Sequence, residues 1–366
     1  MHTSSIQPIS AFHALATALS ARAARLIATC LLPALVLAIT PDQAHSVGIR
    51  LDEVAGNQVA AWYPSDVHPR EHQLGDYTIF AAKDARPRAG RYPIVILSQG
   101  INGHFADHYL TAETLADQGY IVLATNHASD HRIGGIATVA AIRQRLADLE
   151  ALLDWAKADD RLTRLISDTA PVHGVGHSLG GATIMLAAGA TLDVAAADRH
   201  CRTHRQADHE FCAYRHGIVV RTLAEIKRLF DSALAFLPKA DPAPDHPTLI
   251  TGKIVLIAPV GQGLDLTHAL TAQSVHVLAI HGDTLTPPRF HAQPLAEAIT
   301  NHILPVGFIT IPATHQAFIA PTDATVGAVR TESNPLTFAD RLAFIATANA
   351  YILSALGYDM TAEFRF

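Results

Sequence analysis

Residues 172–190 read VHGVGHSLGGATIMLAAGA, and this stretch decides the fold. A short apolar run, VHGVG, leads into a glycine-rich turn and then into small apolar residues, 182–190, suited to a helix. Within it, Gly176-His177-Ser178-Leu179-Gly180 has the form G-x-S-x-G. Between a strand and a helix that pattern makes a sharp, strained elbow. The glycines are required because side chains would collide in so tight a turn. The elbow lifts the serine hydroxyl above the sheet, and the helix that follows aims its first N–H groups toward the same point. Ser178 is therefore the candidate nucleophile.

Outward from the elbow the chain alternates strand and helix. Residues 92–98 (YPIVILS), 120–125 (YIVLAT), 253–258 (KIVLIA), 275–280 (VHVLAI) and 307–312 (GFITIP) are short apolar runs bounded by turn residues. Runs apolar on both faces suit a parallel sheet covered by helices on each side. Val139, Ile142, Leu146, Leu149 and Leu153 form one helical stripe, which leaves Arg143, Arg145, Asp148 and Asp154 for the surface. A last helix, with Phe338, Leu342, Ile345, Ala348, Ile352 and Leu356 on its apolar face, is expected to start at Asn334-Pro335 and stop at Gly357. Residues 47–53 and 58–63, with Gly56-Asn57 as the turn, read as an antiparallel pair at the sheet edge. The sum is a doubly wound α/β domain. One segment breaks the rhythm: residues 191–250 are far longer than a plain crossover needs, and read as a cap over the site with a helix at 219–236.

A serine hydroxyl needs a base to take its proton and an acid to orient that base. In chain order those partners should follow at the ends of later strands. Asp283 fits the acid, in the turn His281-Gly282-Asp283-Thr284 after VHVLAI; Asp265, seven residues past KIVLIA, is its rival. His315 fits the base, just beyond the last strand, a placement that His177, His281 and His291 lack; His177 is left to line the elbow. The backbone N–H groups of Leu179 and of Ile101, in the loop Ser98-Gln99-Gly100-Ile101, are the candidate oxyanion donors.

Composition narrows the class. The chain has 366 residues, 49% hydrophobic and 16% charged, which supports a large core and excludes wholesale disorder. A net charge of −6 gives no basic footprint for nucleic acid. Arg22 and Arg25 precede LIATCLLPALVLAI at residues 26–39, a run shorter than the about 20 residues of a bilayer span, so residues 1–44 read as an export signal or an N-terminal anchor. The domain proper is 45–366, with no stable membrane span expected in the mature form. Three cysteines exclude a disulfide scaffold, yet Cys201 and Cys212 would close a short loop inside the insertion. Metal binding is the alternative there, because His200, His204, His209 and His216 cluster with them, although no C-x-x-C pair is present.

The chain resembles the α/β-hydrolase superfamily, in its serine-dependent dienelactone hydrolase-like branch near the platelet-activating-factor acetylhydrolases and bacterial cutinase-like polyester hydrolases. The resemblance runs through Trp62-Tyr63-Pro64-Ser65, Leu97-Ser98-Gln99-Gly100, Leu115-Ala116-Asp117-Gln118-Gly119-Tyr120, Gly176-His177-Ser178-Leu179-Gly180-Gly181, His281-Gly282-Asp283 and the His315 loop. It implies an α/β-hydrolase fold with a Ser178–Asp283–His315 triad and oxyanion donors at Ile101 and Leu179. It departs from the branch in having Gln99 where Ser-His-Gly is usual, in a serine where true dienelactone hydrolases use cysteine, and in Ala258-Pro259 where the acetylhydrolases carry their acid. The expected activity is hydrolysis of a small-molecule or lipid-like carboxylic ester, without metal or organic cofactor, by an exported protein. An acyltransferase or amidase would use the same residues. A non-catalytic ligand-binding protein on this scaffold is the alternative from another class.

Overall fold

The central strands of the sheet send alternate side chains into two separate cores. The computed structural model describes residues 46–132, 139–215, 247–301, 304–322 and 337–357. The leader, the helix expected over 219–236 and the expected cap at Asn334-Pro335 lie outside them. Strands β1 (Val47–Val54) and β2 (Asn57–Pro64) pair antiparallel, followed by β3 (Arg70–Leu74) and β4 (Tyr77–Lys83). The parallel set is β5 (Ile94–Ser98), β6 (Ile121–Thr125), β7 (His173–His177), β9 (Lys253–Ile257), β11 (Ser274–His281) and β12 (Val306–Pro312). They form one ten-stranded sheet in the order β12-β11-β9-β7-β5-β6-β2-β1-β4-β3. A separate two-stranded pair joins β8 (Thr191–Leu192) to β10 (Leu264–Asp265).

Val95 and Leu97 of β5 enter one core, Ile94 and Ile96 the other, and β9 divides likewise into Val255 and Ile257 against Ile254 and Leu256. The first core is covered by α1 (Tyr109–Asp117) and α8 (Phe338–Leu356), through residues such as Leu115 and Ile352. The second is covered by α3 (Val139–Ala158), α4 (Leu179–Ala187) and α7 (Ala292–Asn301), through Leu149, Ile184 and Ile299. Helix α2 (Ala128–Arg132) is a short turn ahead of α3. Among the described residues no helix is long and apolar enough to cross a membrane.

The structure differs from the sequence reading in four places. The β1–β2 pair, expected at the sheet edge, lies inside the sheet between β6 and β4, and it turns at Ala55-Gly56, both with positive φ, so Asn57 already pairs with Val54 in the strand. The β3–β4 hairpin was not anticipated; it turns through Gly75-Asp76, and β4 alternates buried Ile79 and Ala81 with exposed Phe80. Helix α8 is capped by Thr337, whose hydroxyl accepts from Asp340 N while Asp340 accepts from the Thr337 N–H; it ends at Gly357 in a left-handed conformation. Arg145 and Asp148, assigned to the surface of α3, are buried at 0% and 3% exposure. Each turns inward because a polar partner waits there, as the site geometry explains.

Candidate active site

Ser178 occupies φ 55°, ψ −122°, a conformation that costs a non-glycine residue about 1–3 kcal/mol and persists only where the surroundings impose it. Its N–H donates to the Ile257 carbonyl at 3.0 Å, and its own carbonyl accepts from Val260 N and Gly181 N, each at 3.0 Å. The turn closes because its flanks are glycine. A Cβ on Gly176 would sit 2.5 Å from the Gly180 carbonyl oxygen, and one on Gly180 would collide with the Ser98 carbonyl oxygen. Leu179 is the first residue of α4, so its N–H has no intrahelical acceptor and is free for an oxyanion. The loop after β5 passes directly over the serine: a Cβ on Gly100 would lie 3.7 Å from Ser178 Oγ. Ile101 follows it, and Ile101, Ser178, Leu179 and His315 line one cavity of about 320 Å³.

His315 opens a one-turn 3-10 helix (His315–Phe318) beyond β12. Its Nδ1 lies 2.7 Å from Asp283 Oδ2, and both groups are buried. Asp283 Oδ1 accepts the N–H groups of Leu285 and Thr286 at 2.8 and 3.0 Å, and the Thr286 hydroxyl lies 2.8 Å from Oδ2. Burial alone would push the Asp283 carboxyl up; the His315 bond and charge, with the Thr286 donors, reverse it and hold the group below the usual carboxylate range. It is thus ionised wherever His315 needs a partner. The rival Asp265 sits in β10, where its carboxylate accepts the Thr267 N–H at 2.9 Å, and it makes no bond to His315.

Two buried imidazoles hold the 3-10 turn from behind. His177 Nε2–H donates to the His315 carbonyl and His108 Nδ1–H to the Phe318 carbonyl, each at 3.0 Å. The His177 ring lies 5.0 Å from that of His315 and 5.1 Å from that of His108. Desolvation drives His108 down to about 4 and His177 well below the usual histidine value, helped for His177 by the charges of His315 and His108. Both stay neutral. His177 therefore lines the elbow as expected and also anchors the candidate base.

Sequence reasoning missed the support of the oxyanion loop. Arg145 Nη1 pairs with Asp130 Oδ2 at 2.6 Å, its Nη2 donates to the Gln99 carbonyl at 2.5 Å, and its Nε donates to Thr183 Oγ1 at 2.9 Å. Asp130 Oδ2 in turn accepts the Asn102 N–H at 3.3 Å, so one buried ion pair grips the loop on both sides of Ile101. Gln99, the departure from the usual histidine, donates to the Thr125 carbonyl at 2.8 Å and ties the loop to β6. Asp148 accepts from Asn57 Nδ2 at 3.0 Å and lies 2.9 Å from His127 Nδ1. The only available signal was helical spacing: residues 145, 149, 152 and 156 share the inward face of α3.

In the insertion, Cys201 and Cys212 are joined by a disulfide between α5 (Val194–His204) and α6 (His209–Arg215). Cys212 therefore offers no thiolate to a metal. His291, set aside as a base, has its Nδ1 accepting the Gly261 N–H at 3.2 Å and its Nε2 3.1 Å from Asp208.

No family model matches the chain, and no curated protein matches it. Solved structures do: the ferulic acid esterase from Streptomyces cinnamoneus aligns with 87% of this chain and 92% of its own, at 16% identity and a TM-score of 0.50. At that identity the likeness speaks to the fold alone. The mostly parallel sheet, the helices on both its faces and this neighbour together give the chain an α/β-hydrolase fold.

Proposed function

We propose that the protein is a serine hydrolase that cleaves carboxylic esters through an acyl-enzyme. The observation that carries this is the 2.7 Å contact of His315 Nδ1 with a buried Asp283 carboxylate, at a cavity that the strained Ser178 also lines. His315 Nε2 takes the Ser178 proton as Oγ attacks the ester carbonyl carbon. The negative charge formed on the carbonyl oxygen rests on the Leu179 and Ile101 N–H groups. The C–O bond to the alcohol then breaks, and the alcohol leaves with the proton from His315. Water repeats the cycle on the acyl-enzyme, releasing the acid and returning the proton to Ser178. Nothing in this sequence of steps calls for a metal or organic cofactor.

The esterase named in the structural comparison supports the reaction class. Kinship with the dienelactone hydrolase-like branch is the finer part of the same proposal, resting on the quoted motifs. Export is supported by the charged-then-apolar leader and by the Cys201–Cys212 disulfide, which belongs to an oxidising compartment. The purified protein should release p-nitrophenol from p-nitrophenyl butyrate, and Ser178→Ala should lower kcat by about 10⁴-fold or more. A wild type without turnover, or a mutant with an undiminished rate, overturns the reading.

A further inference from the structure

We infer that Phe211, on the inserted α5–α6 hairpin, is the specificity-determining wall of the cavity, and that the substrate is a compact, uncharged ester whose apolar group packs against that ring. This rests on the ester-hydrolase reading above and names its substrate class.

The cavity is apolar on most of its surface, with Ile101, Leu179, Leu192, Phe211, Leu285 and Ile319 among its lining. Among the described residues no lysine or arginine lines it, while Asp107 does, so the described lining offers an anionic substrate a carboxyl group and no cationic partner. At about 320 Å³ the cavity lies at the small end of the roughly 300–1,000 Å³ of ligand pockets, which suits a short acyl chain with a modest alcohol better than a long fatty acyl chain.

Phe211 belongs to the insertion, yet the insertion is fastened to the machinery. Asp208, fully buried between α5 and α6, has one carboxylate oxygen 2.6 Å from His200 Nε2 and 3.1 Å from His291 Nε2. Because His291 Nδ1 accepts the Gly261 N–H, the His291 proton sits on Nε2 and is donated to Asp208. His200, Asp208 and Cys212 come within 4.8 Å of one another, but the disulfide to Cys201 leaves Cys212 no thiolate to offer a metal. His291 directly precedes α7, eight residues beyond Asp283 in the chain, so the clamp joins the hairpin to the segment that follows the candidate acid. The Phe211 ring packs edge-on against His291 with centroids 4.9 Å apart, and His200 packs against Phe290 at 5.2 Å. At the base of the hairpin, Asp193 N–H donates to the Gly263 carbonyl at 2.9 Å beside the β8–β10 pair. The ring is thus held at a fixed position relative to Ser178.

The test uses the full exported protein with two ester series: p-nitrophenyl acetate, butyrate and palmitate, and methyl, butyl and benzyl acetate. Wild type should prefer the middle members and turn over palmitate poorly. Phe211→Ala should lower kcat/KM for the best bulky ester by about 10–50-fold, mainly through KM, while the smallest esters change by less than about threefold. Phe211→Trp, which keeps the packing and narrows the space, should also penalise bulky esters and spare small ones. Asp208→Ala, which removes the oxygen that both histidine donors share, should reproduce part of the Phe211→Ala pattern. A discrimination that appears in the acyl series puts the acyl group against Phe211; one in the alcohol series puts the leaving group there. Equal losses on all esters, or none, overturn the inference while Ser178-dependent turnover leaves the hydrolase reading standing. A wild type that neither turns over an ester nor is labelled at Ser178 by a fluorophosphonate ends both.

Discussion

The two sides of the cavity are each fixed by a buried charged node, and the nodes are built differently. On the sheet side, Arg145 faces Asp130, the Gln99 carbonyl and Thr183, so a full cation is matched by a full anion inside the second core. On the insertion side, Asp208 faces two imidazoles and no permanent cation. The first arrangement serves a loop whose backbone must meet a developing oxyanion to within a few tenths of an ångström. The second serves a ring that need only offer an apolar face for packing. Rigid chemistry sits on the sheet, and adjustable shape sits on the insertion.

The largest effect should come from within the sheet side itself. Asp283→Asn keeps the shape of the turn but deprives His315 of its anionic partner, and should lower kcat by about 10⁴-fold with little change in KM. Steady-state kinetics on a short ester checks it; a loss carried by KM would place Asp283 outside the reaction. Next is Arg145→Leu, which strands Asp130 in the core. It should cost about 3–5 kcal/mol of stability in denaturant unfolding and lower kcat as well, because the Ile101 loop loses its bond at the Gln99 carbonyl and Asp130, which holds Asn102, loses its cation. If the variant unfolds like wild type, the ion pair is not what distinguishes this side.

Acid should expose the asymmetry of number. His108, His127 and His173 are each held near 4 by burial, against an ordinary value near 6.5, and burial holds His177 well below that ordinary value too. Between pH 6.5 and 4 the unfolded chain binds protons that the folded chain refuses. Stability therefore falls as pH falls through that window, by up to about 1.4 kcal/mol per histidine per pH unit. Glu113, raised by burial to about 8, and Asp107, also raised by burial, oppose the trend, since each holds a proton in the folded chain that the unfolded chain has released. On the insertion side, among the described residues, His291 is pushed down in the same way. A melting temperature that stays level from pH 7 to 5 would refute the account.

The smallest effect belongs to the insertion. Replacing Cys201 and Cys212 together by alanine should weaken the hairpin by roughly 3 kcal/mol. Hydrogen exchange should show that loss in α5 and α6 while β5, β7 and β9 keep their protection. A uniform loss across the sheet would mean the two sides are not separable.

The elbow was legible because its chemistry forces its composition: a strand, two close-approach glycines and a serine in a left-handed conformation leave few alternatives. Asp283 and His315 were legible by position after their strands, and the structure brings their side chains together at 2.7 Å. Arg145 and Asp148 were not, because charged helical residues default to solvent, and what holds them inside is distant in sequence. Asp130 lies fifteen residues from Arg145, Gln99 forty-six, and Asn57 ninety-one from Asp148. The β3–β4 hairpin was missed because β3 carries exposed charged residues, although Gly75-Asp76 between alternating runs was a usable turn signal. The role of His291 depended on its tautomer, which no linear pattern encodes.

Gly180 carries a lesson for anyone who would reshape this molecule. Its α-carbon is pressed so closely to the carbonyl of Ser98 that even a methyl group would force the helix and the neighbouring strand apart. A library randomised at that codon and selected for folded protein should return one amino acid, while residue 211 tolerates many. Diversity, natural or engineered, will accumulate on the roof and never at the hinge.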